Sequence, residues 1–251
     1  MTVSNQHDSN TCIFINNEWS PCNSGETLNV VEPATGQCFA KIAAGNAADI
    51  DVAVKAGRAA LNGAWGQMAA VDRGRLLAKV GTLILAHFDE LAALEARDTG
   101  KPLKQAQADI TAAARYFEYY GTAADKVHGH TIPFTEGFFV TTEYLPHGVT
   151  GHIIPWNYPA QMLGRTLAPA LAMGNATVLK PAEDACLSSL RIVELCRDAG
   201  FPPGAISLVP GTGEDAGAAL AAHRGLDFIS FTGSPEVGEL VQIAAAHNHI
   251  G

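Results

Sequence analysis

What this 251-residue chain lacks narrows its function before any motif is read. It has five cysteines (Cys12, Cys22, Cys38, Cys186 and Cys196), and no two of them form a CxxC pair. CxxC spacing marks zinc and redox sites, and an odd count cannot close a full disulfide framework, so a reducing cytoplasm is the expected compartment. Long apolar runs are also missing: the longest, residues 167–179, is interrupted by Pro169, Gly174 and Asn175. A membrane helix needs about 20 apolar residues, so none is expected. Residues 1–11 are polar and lack the basic-then-apolar order of a secretory signal. Positive charge is scarce, with 16 Lys and Arg against 25 Asp and Glu and a net charge of −9. Such a surface repels nucleic-acid phosphates and anionic lipid, which leaves a small molecule as the expected partner. The usual dinucleotide fingerprint, GxGxxG, is absent too.

What is present is ordinary for a folded enzyme domain. The chain is 47% apolar and 16% charged, which argues against disorder, and its length can bury a large core. Residues 13–15 and 18–19 flank Asn16-Asn17, a hairpin turn. From Ala47 the apolar period lengthens, and Ile50, Val54, Gly57 and Leu61 predict an amphipathic helix. Leu76, Val80, Leu83, Leu91 and Leu94 predict one longer helical region over residues 71–99, stopped by Thr99-Gly100-Lys101-Pro102. A further helix is predicted over residues 103–124. Residues 131–133 and 138–144 are β-branched and aromatic and read as a projecting hairpin arm over residues 127–146. Its exposed edge calls for a partner.

Residues 147–251 carry four strand–helix units in succession. Strands are predicted at 149–154, 176–179, 206–209 and 228–231, each followed by a helix, over 160–173, 187–199, 215–222 and 235–246. That succession predicts an α/β fold with a Rossmann-like, doubly wound parallel sheet, which binds ligands at the carboxyl ends of its strands. The loop at each of those ends has its own chemistry. Ile154-Pro155-Trp156-Asn157-Tyr158-Pro159 holds a side-chain amide between two prolines, suited to stabilising an oxyanion, although Asn also caps helices. Lys180-Pro181-Ala182-Glu183 can hydrogen-bond ribose hydroxyls, and its acid would repel a 2′-phosphate; a simple salt bridge is the alternative. Pro210-Gly211-Thr212-Gly213 is glycine-rich. Phe231-Thr232-Gly233-Ser234-Pro235-Glu236-Val237-Gly238 places Gly and Ser at a helix N-terminus, where a pyrophosphate can bind.

These loops, in this order and spacing, together with Ala168-Pro169-Ala170-Leu171-Ala172-Met173-Gly174-Asn175 and Ala199-Gly200-Phe201-Pro202-Pro203-Gly204, resemble the aldehyde dehydrogenase superfamily. The resemblance runs back to about Phe14, through Glu32-Pro33-Ala34-Thr35-Gly36 and Thr99-Gly100-Lys101-Pro102, and covers nearly the whole chain. It implies NAD, in preference to NADP, as cofactor and an aldehyde as substrate. By the same resemblance Asn157 supplies the side-chain half of an oxyanion hole. Lys180 and Glu183 hold the adenosine ribose, and Ser234, with Gly233, holds the pyrophosphate. Ile153, Ile154, Trp156, Gly213 and Val237 line the adenine and nicotinamide pockets. The chain then divides into a first part of the NAD-binding domain (1–126), an oligomerisation arm (127–146) and the Rossmann-like part (147–251). The complete enzyme would be a homodimer or homotetramer.

In the family a cysteine thiolate attacks the aldehyde to give a thiohemiacetal, which passes hydride to NAD, and a glutamate activates water for hydrolysis. Both follow the Phe-Thr-Gly-Ser loop, the glutamate within Glu-Leu-Gly-Gly, and neither context occurs here. The resemblance therefore implies that nucleophile, general base and catalytic domain lie beyond residue 251. Cys186, near a helix N-terminus on the ribose side, and Cys196, on an apolar helical face, are both rejected as replacements. The pairs His128/His130 and His247/His249 lack a third ligand, so no metal is assigned. Arg165, two helical turns after Asn157, can face a substrate tunnel beside Tyr158 and Met162. Resemblance to semialdehyde dehydrogenases would make it a carboxylate anchor, and a helix-surface arginine is the alternative. Three readings stay open: oxidation of an aldehyde to its acid, a catalytically inactive NAD-binding fragment, and an aldehyde dehydrogenase that acylates coenzyme A.

Overall fold

A computed structural model describes residues 9–251. Strands β1 (Cys12–Ile15) and β2 (Glu18–Pro21) form the first hairpin, with Asn16 and Asn17 both at positive φ as a tight two-residue turn requires. Strands β3 (Thr27–Glu32) and β4 (Gln37–Ala43) pair separately. Helix α1 (Ala47–Leu61) starts on a capping box: Asn46 Oδ1 accepts from the Ala48 and Asp49 amides, and Asp49 accepts from the Asn46 amide. Helices α2 (Ala70–Ala86), α3 (Phe88–Thr99) and α4 (Leu103–Ala123) follow.

The single helix predicted over residues 71–99 is thus two. No Gly or Pro marks the break at His87. The backbone leaves the helical region at His87, with φ −105° and ψ 24°; its Nδ1 lies 2.8 Å from Glu90, which also accepts from Arg191 at 2.7 Å. Gly100 closes α3 in the left-handed conformation, and a Cβ there would sit 2.9 Å from Pro33, so both backbone and packing require glycine.

The arm is more weakly paired than predicted. Residues 138–144 contribute only β6 (Val140–Thr141), opposite β5 (Thr131–Ile132), and Phe134, Phe138, Phe139, Tyr144 and Leu145 are exposed. Among the described residues no third strand joins β5 and β6, and an isolated two-stranded ribbon is only marginally stable.

The alternation after residue 147 is as read from the sequence: β7 (Val149–Ile153), α5 (Pro159–Ala172), β8 (Ala176–Lys180), α6 (Leu187–Ala199), β9 (Ile206–Leu208), α7 (Ala218–Ala221), β10 (Phe228–Phe231) and α8 (Pro235–Ala246). The helix predicted over 215–222 is a π turn over Gly213–Gly217 followed by the short α7. The Gly217 amide bonds the Thr212 carbonyl, five residues back. The sheet order is β10-β7-β8-β9-β1-β2. The four parallel strands are extended by the first hairpin, which joins antiparallel through Phe14 opposite Leu208. One core face packs Trp65, Leu77, Ile110, Phe117, Leu163 and Leu167; the other packs Ile50, Val54, Val149, Val178, Val209 and Leu220. Among the described residues no helix is long and apolar enough to cross a membrane.

Helix α6 lacks a side-chain cap of its own, because Cys186 precedes it. Asp98 of α3 fills the role from outside, accepting the Leu187 amide at 2.8 Å, while its other oxygen has no hydrogen-bond partner among the described residues. Burial pushes the Asp98 carboxyl up to about 7 against the pull of the Leu187 amide, and the nearby Glu95 adds to the rise. Between pH 4 and 7, roughly, the folded protein therefore holds a proton that the unfolded chain has released. Asp98 then makes stability fall as pH rises through that window, by about 1.4 kcal/mol per pH unit for a full proton. Asp98→Asn should flatten the decline, which urea unfolding at pH 5 and pH 8 will show. Parallel profiles for variant and parent would contradict the assignment.

Candidate functional site

The carboxyl ends of β7, β8 and β10 meet at one rim because their register is in line. Ile153 lies opposite both Lys180 and Phe231; the Ile154 amide bonds the Lys180 carbonyl and the Thr232 amide the Ile153 carbonyl. On the α1 and α7 side of the sheet, Lys180 and Glu183 form an ion pair at 2.7 Å, with Lys180 only 3% exposed. The second Glu183 oxygen accepts the Gly213 amide at 3.2 Å, which joins two of the loops. Desolvation pushes the Glu183 carboxyl up, but the Lys180 hydrogen bond and charge and the Gly213 amide outweigh it and hold the acid below its ordinary range. A charged acid therefore faces the rim. The ammonium has one acceptor among the described residues, so two of its three protons can serve a ligand.

Ser234 caps α8, its Oγ accepting the Val237 amide at 3.3 Å, with Pro235 in the first helical position. Gly233 is required sterically: a Cβ there would lie 2.4 Å from the Phe231 ring. Trp156 and Val237 are exposed at the same rim, and Ile153 is half-buried.

Ile154 turns to the other face. It lines a cavity of about 480 Å³ beside α5, together with Met162, Arg165, Thr232 and a hydroxyl–imidazole chain. In that chain His152 Nε2 is 2.8 Å from Thr150, its Nδ1 2.5 Å from Thr166, and Thr166 donates to Ser230 at 3.3 Å. Burial lowers His152 to about 3, so its imidazole is neutral at working pH. Sequence reading missed this chain, whose only local signal is the polar alternation Thr150/His152 within an apolar strand. Tyr158 does not join Met162 and Arg165 in the cavity. It precedes the Pro159 that opens α5, and its ring is drawn over Lys101 Nζ, 4.6 Å from the centroid.

Asn157 is exposed on the loop between β7 and α5. The position preceding α5 belongs to Tyr158, so Asn157 does not cap the helix, and its side chain bonds no other described residue. Its carbonyl accepts from Lys101 at 2.8 Å. The site thus brings a pre-charged Lys–Glu pair, a helix N-terminus and a side-chain amide to the ends of parallel strands.

Residues 19–250 match the aldehyde dehydrogenase family. The chain belongs to that family. It is 47% identical over 241 residues to mitochondrial aldehyde dehydrogenase of Equus caballus, covering 95% of this chain and 48% of that protein. It superposes on a putative aldehyde dehydrogenase from Burkholderia cenocepacia with a TM-score of 0.95 and 56% identity, over 95% of this chain and 50% of that one. The NAD+ complex of an aldehyde dehydrogenase from Bacillus cereus matches with a TM-score of 0.94 and 40% identity, over 96% and 50%. The chain spans about half the length of the relatives it matches.

Neither of the two thiols rejected from the sequence is held as a thiolate. Cys186 sits at the start of α6, where the helix dipole favours a thiolate, yet burial pushes its thiol well up, with Asp98 adding to the rise. Burial raises Cys196 likewise.

Proposed function

We propose that this chain forms the NAD-binding half of an NAD-dependent aldehyde dehydrogenase that oxidises an aldehyde to its carboxylic acid. The observation that carries the proposal is the Lys180–Glu183–Gly213 link at the strand ends. Charged Glu183 accepts from, and Lys180 donates to, the vicinal hydroxyls of the adenosine ribose. Val237 and Ile153 flank the adenine, and Trp156 the rim. The N-terminus of α8, with Ser234 and Gly233, receives the pyrophosphate. These donors fit NAD: Lys180 has protons to give, and Gly233 and Ser234 open α8 with its N-terminal amides toward the rim. When bound, NAD accepts the hydride from the substrate carbon. Asn157 donates to the oxygen of the reacting carbonyl, and Ile154 and Met162 bound the space beside it. The cytoplasm suits an enzyme that acts through a thiolate.

The chain's thiols support a second reading for the 251 residues acting alone. Burial holds Cys186 and Cys196 in the neutral form, and exposed Cys38 sits on β4, outside the six-stranded sheet; in this reading the isolated chain binds NAD and oxidises nothing. An aldehyde-dependent rise in NADH from the isolated chain would exclude that reading, and a requirement for coenzyme A in the complete enzyme would point to acyl transfer.

Lys180→Met removes a charged hydrogen bond worth about 1.5–3 kcal/mol, so the NAD dissociation constant should rise roughly ten- to a hundredfold. Glu183→Gln should narrow the preference for NAD over NADP, because the carboxylate repels the 2′-phosphate. Calorimetric titration of both cofactors checks this, and unchanged affinities would remove the ribose assignment. Arg165, beside Met162 in the cavity, is proposed to anchor a substrate carboxylate. Arg165→Leu in the complete enzyme should cut kcat/KM for acidic aldehydes and spare neutral ones. An unchanged preference would leave Arg165 a surface residue.

A further inference from the structure

Lys101 lies in the turn between α3 and α4, and its side chain is only 11% exposed. Its Nζ is 2.7 Å from Asp109 Oδ2, 2.8 Å from the Asn157 carbonyl oxygen and 3.2 Å from Glu95 Oε1, so all three protons have acceptors. The same ammonium lies over the Tyr158 ring. The other oxygen of Glu95 accepts the Ser188 hydroxyl at 2.5 Å and the Ala160 amide at 3.3 Å. Glu95 is fully buried and Asp109 nearly so. One ion cluster, carried by α3 and α4, therefore grips the β7–α5 loop twice: at the Asn157 carbonyl and Tyr158 ring through Lys101, and at the first turn of α5 through Glu95.

The packing of α3 and α4 does not rest on the cluster alone. Leu91, Ala106, Ile110 and Ala113 already bury α3 and α4 in the apolar core. Burying an ammonium between two carboxylates is costly, and an apolar trio would serve packing as well or better. The loop, by contrast, has little else to fix it: α5 starts without a side-chain cap, and Trp156, Asn157 and Tyr158 are all exposed. The Lys101 hydrogen bond falls on the carbonyl of Asn157 itself, and so restrains the backbone from which the Asn157 side chain projects.

We infer that Lys101, seated on Glu95 and Asp109, is a positioning residue that aims the Asn157 amide at the reacting carbonyl. The inference rests on the reading of Asn157 as oxyanion donor. A donor misplaced by an ångström loses much of its effect on the transition state while ground-state binding is little changed. The Lys101 cluster touches neither the Lys180–Glu183 pair nor α8, so it should act on kcat and leave NAD affinity alone.

The test is a double-substitution cycle in the complete enzyme, with Lys101→Met, Asn157→Ala and the two combined, reading kcat, aldehyde KM and NAD affinity. Lys101→Met should lower kcat roughly tenfold or more with NAD affinity unchanged, and the combined variant should be no slower than Asn157→Ala alone. Equal losses with and without Asn157, or an unchanged kcat for Lys101→Met, would overturn the positioning role while leaving Asn157 its own. An unchanged kcat for Asn157→Ala would overturn the oxyanion reading, and the inference with it. Lys101→Met leaves Glu95 and Asp109 without their counter-charge. If it does not fold, Lys101→Arg keeps the charge but cannot place one donor point on three acceptors, and the same non-additivity is expected of it.

Discussion

The parallel register of β7 against β8 is the constraint on which the site depends. It is set at the foot of the strands. The Gly148 amide bonds the Asn175 side chain at 3.0 Å, and the Val149 amide bonds Asp227 at 2.7 Å. Arg58 holds Asp227 from α1, and the Asn175 carbonyl receives the Trp65 indole. Side chains in a strand alternate between faces, so a slip of one residue would carry every rim residue to the wrong side. With Ile153 opposite Lys180, the rim presents its Lys–Glu pair on one face and Ile154 on the other.

That alternation divides the work of the site. Ile153, Lys180, Glu183 and Gly213 face α1 and α7, where the dinucleotide's ribose is proposed to lie. Thr150, His152 and Ile154 face α5 and the cavity shared with Met162 and Arg165. The β7–α5 loop leaves the strand end at this rim and carries Asn157, the amide proposed to reach the reacting carbonyl. The neutral His152 and its hydroxyl neighbours give the cavity a polar wall without a charge.

Much of this was legible because its signals are local. The strand–helix succession, the Asn16-Asn17 turn, the Gly100 stop and the Ser-Pro-Glu start of α8 are each written within a few residues. What the sequence hid depends on contacts between distant segments. At the His87 break the Glu90 carboxylate meets Arg191 from α6, and the arm's strand pattern yields only two paired residues on each side. Thr99-Gly100-Lys101-Pro102 reads as a helix stop, yet Lys101 finds its loop partner 56 residues away. Two of the proposed substrate residues, Met162 and Arg165, share a cavity as their helical spacing allows, whereas Tyr158 precedes the helix and turns toward Lys101.

The most direct measurement is a crystal structure of the protein grown with NAD+. The account predicts the adenosine ribose hydroxyls within hydrogen-bond distance of Lys180 Nζ and Glu183, with the pyrophosphate against the first turn of α8 at Ser234. A dinucleotide bound elsewhere, or a rim that stays empty at millimolar NAD+, would contradict it.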